Sequence, residues 1–357
     1  MAIDRRFCIA VLAILVTTVA SAKTIRVPED ALTIQHAIDA SAAGDTVVVA
    51  PGTWRETLDL RGRSILLKSR DGAPSTTVDA TGLADSVIRC MTAEGPGTVI
   101  EGLTLTGGSG HTGLHTSEAT LGGGLLILGA SPTFRDCVIT KNSATLNGGG
   151  AYIGTASRVR FENCTFSKND AEKGGGALCS ASKPVFIGCR FEANYARYAG
   201  GALHASVDSE PILRTCQMIA NQAAFNGGAV CSMRSGGAVL DTSFDRNRAG
   251  FQGGAIYFGY RTAMTADACI FGGPSDNVSG SGHVARVDVR QGRCDLRAGV
   301  CVAAEKDDCE LAGGRYGGDG TECLPVSDRQ IAIREGDFNS DGQIDKTDMA
   351  ILLLLWR

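Results

Sequence analysis

Between residues 137 and 269 the chain sets apolar residues two apart in short bursts, each followed by a polar gap. Cys137/Ile139, Cys164/Phe166, Cys189/Phe191 and Cys216/Met218 form one series. A period of two places both members of a pair on one face of a strand. Five residues after each of these cysteines stands an asparagine, giving Asn142, Asn169, Asn194 and Asn221; Asn247 follows Thr242 in the same way. The asparagines are spaced 27, 25, 27 and 26 residues apart. A second burst follows each Gly-Gly-Ala (Ala151, Ala177, Ala202, Ala229, Ala255) and carries Tyr152, Leu178, Leu203, Val230 and Ile256, read as an inward row. No unit holds a 3.6-residue apolar stripe long enough for a helix.

A fixed period of this size marks a repeat architecture. Two or three short strands per repeat, joined by Gly and Asn corners, predict one coil of a parallel β-helix, an all-β solenoid. Equivalent residues then stack at the strand spacing of about 4.8 Å. Stacked asparagines can form an amide ladder and tolerate left-handed backbone at a corner. The inward cysteines, whose Cβ atoms lie farther apart than a bridge prefers, read as buried thiols. Residues 24–107 fit as earlier, less regular coils, with a short amphipathic helix at Ile34–Ala40 expected to cover the open N-terminal end. "GSGHTGLHTSEAT" reads as a projecting loop, and its His111 and His115 as solvated side chains unless the loop is helical.

The units with "FSKN", "FEAN" and "FDRN" before their Gly-Gly-Ala resemble the repeats of polymorphic outer-membrane proteins. The opening "TIQHAIDASAAGDTVVVAPGTW" is similar to the first coils of many secreted bacterial β-helices. The resemblance, over roughly residues 24–290, is to the right-handed parallel β-helix, or pectin-lyase-like, superfamily. It implies the fold and leaves function open, because lyases, hydrolases, adhesins and passive shafts share it.

The ends add three expectations. Arg5 and Arg6, an apolar run from Phe7 and Ala20-Ser21-Ala22 predict a secretory signal over residues 1–22, too short to span a membrane. Export places the protein outside the cell or on its surface. The β-helix is expected over 23–290, followed by a Cys-rich module at 291–326 and a tail at 327–357. Cys294, Cys301, Cys309 and Cys323 suggest two disulfides in one of three pairings, with zinc as a rival reading.

In the tail, "DFNSDGQIDKTD" places oxygen ligands at calcium-loop spacing: Asp337, Asn339, Asp341, the Gln343 carbonyl, Asp345 and Asp348, with Gly342 at the sharp turn. This EF-hand-type loop and the apolar "MAILLLLW" after it resemble half of a dockerin, implying Ca²⁺ and a cohesin-like receptor.

The formal net charge of -4, one unit more negative without the signal, argues against nucleic acid. Within the regular coils the acids Glu162, Asp170, Glu192 and Asp245 fall at strand edges, where solvation accounts for them. The residues after the Tyr152 row (Ile153, Cys179, His204, Cys231 and Tyr257) are expected to stack on one face, with His204 beside both cysteines. Chance placement of small apolar residues and one histidine is the simpler reading of that row.

Two functions follow as expectations. The first is a non-catalytic exported shaft that binds polysaccharide or a surface protein. The second is a carbohydrate-active enzyme, a polysaccharide lyase or glycoside hydrolase. A lateral groove of Ala, Gly and Ser suits the first; outward Asp with Lys or Arg on adjacent coils suits the second.

Overall fold

Each coil contributes a strand to three parallel sheets. Sheet A has 11 strands, sheet B 10 and sheet C 9, and every neighbouring pair within them is parallel. A 4-stranded sheet D (Asp170–Lys173, Tyr195–Ala199, Gln222–Ala223, Arg248–Ala249) bridges B to C in the later coils. The structure, a computed structural model, describes residues 22–114, 118–272, 275 and 277–280, plus the backbone of five short strands between 283 and 319.

Two corners of each coil share a device. Between sheets A and B a left-handed residue (Asp136, Asn163, Gly188, Thr215, Asp241, Ala268) precedes the inward Cys137, Cys164, Cys189, Cys216, Thr242 and Cys269. After sheet B, Lys141, Lys168, Ala193, Ala220 and Arg246 are left-handed, with φ of 51–55°, and the ladder asparagines follow them. The asparagines therefore do not take the left-handed conformation themselves; they stabilise it from the next position. An alanine held there costs about 1–2 kcal/mol, so the corner needs a strong local partner.

The ladder supplies it. Asn194 Nδ2 donates to Phe166 O (2.9 Å) and to Asn221 Oδ1 (2.9 Å), while its own Oδ1 accepts from Asn169 N (3.1 Å) and Asn169 Nδ2 (3.0 Å). The same pattern joins Asn142 to Asn169 and Asn221 to Asn247. All five asparagines are buried, so each amide satisfies backbone groups that water cannot reach.

The core lies inside the coils. Phe134, Phe161 and Phe186 stack in file on sheet A, with centroids 5.2 and 4.9 Å apart. Phe166 and Phe191 stack at 4.7 Å on sheet B, and Phe166 meets Phe161 edge-on at 5.2 Å. The eight cysteines of the described coils are free and buried, as small apolar side chains would be. Burial pushes the Cys164 thiol upward, and a side-chain hydrogen bond with Cys189, ahead of burial, raises that of Cys216, keeping both protonated. At the N-terminal end the helix Ile34–Ala40 buries Ile34, Ala37 and Ile38 against the first strands. Thr33 caps it, and Glu56 accepts from the N–H groups of Ile34 and Gln35.

The structure corrects the register of sheet C. Ala151 pairs with Ala177, but Ala177 pairs with Leu203, not Ala202. The equivalent positions are the left-handed glycines Gly122, Gly148, Gly174, Gly200, Gly227 and Gly253, at φ of 62–70°. Earlier coils carry three glycines before the strand, whereas later ones carry Gly-Gly-Ala, so Ala202, Ala229 and Ala255 occupy the place of a third glycine. Tyr152 and Leu178 therefore face outward, in file with His204, Cys231 and Tyr257, while Ile153 and Cys179 point into the core.

Beyond the coils, Gly292–Asp295 pairs antiparallel with Cys301–Ala304 and Arg315–Asp319. The signal segment up to residue 21, His115, and the calcium-loop residues Asp337, Asn339, Asp341, Gln343, Asp345 and Asp348 lie outside the described residues, as do the side chains of the four tail cysteines.

Candidate active site

The outward row of sheet C begins in the irregular coils. Asp59 in Leu58–Asp59 is register partner to Arg89 in Ile88–Cys90, and Arg89 to Leu126. Their apolar neighbours Leu58, Ile88 and Cys90 are buried, so period two sends Asp59 and Arg89 outward. Tyr152, Leu178, His204, Cys231 and Tyr257 complete the row on later rungs.

Charge gathers at the head of this row. Arg89 Nη2 lies 3.3 Å from Asp59 Oδ2, and its Nη1 pairs closely with Asp85, just before the strand. His111 Nδ1 lies 2.9 Å from Asp85 Oδ1. The loop carrying His111 is held by a two-way backbone bridge between His111 and Leu121, at 2.9 and 3.1 Å. His111 is thus fixed by Asp85 instead of freely solvated, which corrects the sequence reading. Asp59 is bracketed from the helix, since its N–H donates to Gln35 Oε1 (2.8 Å) and Gln35 Nε2 donates to its carbonyl (3.1 Å).

All four side chains remain partly open to solvent, from 17% for Asp85 to 31% for Asp59. Two carboxylates against one guanidinium leave the cluster with net negative charge while His111 is neutral. An imidazole whose Nδ1–H is held by a carboxylate keeps Nε2 as an acceptor, the arrangement required of a general base.

The pairing of His204 with two cysteines does not form. His204 pairs with Cys231 on one side and Leu178 on the other, and Cys179 points inward. Both members are buried and uncharged: burial pushes the Cys231 thiol up to about 12 and the His204 imidazole down to about 3. A protonated thiol beside a neutral imidazole is not an activated nucleophile. Among the described residues no cluster of His, Cys, Asp and Glu suits a metal ion.

The acids of the regular coils are structural. Glu162 accepts from Arg135 Nε at 2.7 Å and also pairs with Arg160, and these hydrogen bonds lower its pKa. Glu192 pairs with Arg190 (3.0 Å), Asp245 with Arg246 (2.9 Å) and Asp170 with Arg197. Sequence reasoning passed over Asp59, Asp85 and Arg89. The signal was present, a single charge between apolar residues in Leu-Asp-Leu at 58–60 and Ile-Arg-Cys at 88–90.

The described residues include no helix long and apolar enough to cross a membrane. Among solved structures the chain is similar to pectin methylesterase from carrot, at 14% identity and a TM-score of 0.50, over 76% of this chain and 89% of that one. It is also similar to pectin methylesterase PemA from Erwinia chrysanthemi, at 11% identity and a TM-score of 0.44, over 74% and 92%. Pectate lyase Pel9A matches at 11% identity and a TM-score of 0.41, over 89% and 92%. A search of curated proteins finds no match. At these identities the likeness establishes architecture. The family described as "Right handed beta helix region" matches residues 91–304, more than half of the sequence, and the chain belongs to that family.

Proposed function

We propose that the chain is an exported carbohydrate-active enzyme that works on polysaccharide bound at the open head of sheet C. The observation that carries this reading is the convergence of Asp59, Asp85, Arg89 and His111 on adjacent coils, partly exposed. An Ala, Gly and Ser lining would have favoured a passive shaft; the head of the sheet C row instead presents partly exposed Asp59 and Arg89, while Leu178, His204 and Cys231 farther along it are buried. The solved structures include pectin methylesterases in complex with hexasaccharides, which fits the same substrate class.

In this reading Asp85 orients His111, and His111 Nε2 takes a proton from an attacking water or from a sugar C–H. Arg89, shared between Asp85 and Asp59, positions both carboxylates beside the reacting group. The net negative charge disfavours an anionic sugar at that point, so the unit bound there carries no free carboxylate.

Asp85→Asn and His111→Ala should each lower kcat about 10²-fold or more while the protein stays folded. Products discriminate the chemistry: a new C=C absorbance marks a lyase, a new reducing end a glycoside hydrolase, and released alcohol an esterase. Turnover unchanged in both variants would remove the cluster from the mechanism.

The tail is proposed to bind calcium through Asp337, Asn339, Asp341, the Gln343 carbonyl, Asp345 and Asp348, an all-oxygen set suited to a hard cation. Calorimetry on the full chain should show calcium heat that Asp341→Ala abolishes. Equal heat in the variant would reject the assignment.

A further inference from the structure

A second exposed feature runs along the same edge of the rod. Asn147, Lys173, Ala199, Asn226 and Gln252 are in file, and Leu121 heads the column, bridged to His111. Tyr198, Phe225 and Phe251 each stand one residue before the last three of this file. Three aromatics on successive rungs are thus exposed, by 40%, 51% and 72%. The rings of Tyr198 and Phe225 are 5.2 Å apart and tilted by 40°, and the Lys173 ammonium lies 5.3 Å from the Tyr198 centroid.

The column ends at a cavity of about 380 Å³ lined by Arg248, Phe251, Gln252, Ser275 and Asn277. Arg248 is the one charged side chain among its described lining residues, and among the described residues it makes no ion pair. Counted along sheet C, Tyr198 lies four rungs and Phe251 six from Arg89, or about 19 and 29 Å at the strand spacing.

We propose that the Tyr198, Phe225 and Phe251 ladder and the Arg248 cavity form a second, non-catalytic subsite for an acidic polysaccharide. The aromatic rings carry the apolar faces of successive sugars. Arg248 takes a sugar carboxylate, and Gln252, Ser275 and Asn277 face its hydroxyls. The inference deepens the proposed function. A chain parallel to the rod axis meets the ladder with its charged units while an uncharged unit reaches His111. Charge complementarity selects this occupant, because the free cation sits at the aromatic end and net negative charge at the Asp85 end. A second copy of the chain would need an acid opposite Arg248 and gains nothing from the rung spacing.

The test uses the full chain, with a galacturonate hexamer and a neutral galactose hexamer as probes, read by calorimetry. Phe225→Ala with Phe251→Ala should weaken hexamer binding about tenfold or more. Arg248→Gln should leave the neutral hexamer unaffected and erase the preference for the acidic one. Both positions are exposed, so circular dichroism and thermal midpoints should match the parent. Unchanged galacturonate affinity in the double Phe variant would overturn the subsite, as would a parent dimer that the double variant converts to monomer. The two readings fail separately. Loss of turnover in Asp85→Asn with full hexamer binding keeps both. Binding that depends on the aromatics in a chain without turnover removes the catalytic reading alone.

Discussion

Replacing Asn194 by alanine is expected to destabilise the rod by about 4 kcal/mol, far more than an average substitution. The side chain makes four hydrogen bonds in a site closed to water. Its loss strands the N–H of Asn169 without a partner, costing about 1–3 kcal/mol when buried, and removes the side-chain bonds to Phe166 O, Asn169 Nδ2 and Asn221 Oδ1. The left-handed Ala193 also loses the neighbour that fixed its corner. Urea unfolding followed by circular dichroism reads the effect, with Asn247→Ala, nearer the end of the ladder, for comparison. A midpoint for Asn194→Ala equal to the parent's would mean that water enters the corner and the ladder adds nothing to stability.

Phe161→Ala should cost about 3–5 kcal/mol, because no neighbouring side chain can collapse into the space. The ring is stacked between Phe134 and Phe186 and meets Phe166 edge-on, with no exposed surface. Parallel strands above and below fix the spacing of the flanking rings, so the rod cannot shorten to close the gap. Phe161→Leu, which refills most of the volume, should recover most of the loss. If thermal midpoints place the alanine variant beside the leucine one, the aromatic file packs loosely and the rigid-spacing argument fails.

The rod was legible because its rhythm is carried by residues with a physical task. The asparagine column came out in file since each amide must reach the next rung, and no other residue type offers donor and acceptor at that reach. Sheet C was aligned one residue out between Leu178 and Leu203, which put Tyr152 and Leu178 on the inner face and Ile153 and Cys179 on the outer one, because alanine replaced glycine at the third position of the later runs. A one-residue slip exchanges the two faces of a strand, and this alone created the expected Cys179–His204 contact. The acidic cluster was hidden for a different reason. Asp59, Arg89 and Leu126 are adjacent in space but separated by 30 and 37 residues, spacings broken by long loops, so no period links them. His111 was illegible because a loop of glycines and threonines carries no pattern that fixes its direction; the bridge to Leu121 does so only in three dimensions.

The stacking of near-identical coils makes the separation between His111 and Arg248 a matter of counting. Adding or deleting one unit between Leu178 and His204 would move the two ends by one strand spacing and leave the chemistry of each intact. Such a molecule is a ruler whose gradations can be duplicated. Lengthened and shortened versions should differ in the size of oligomer they prefer, with no change in the bond they attack.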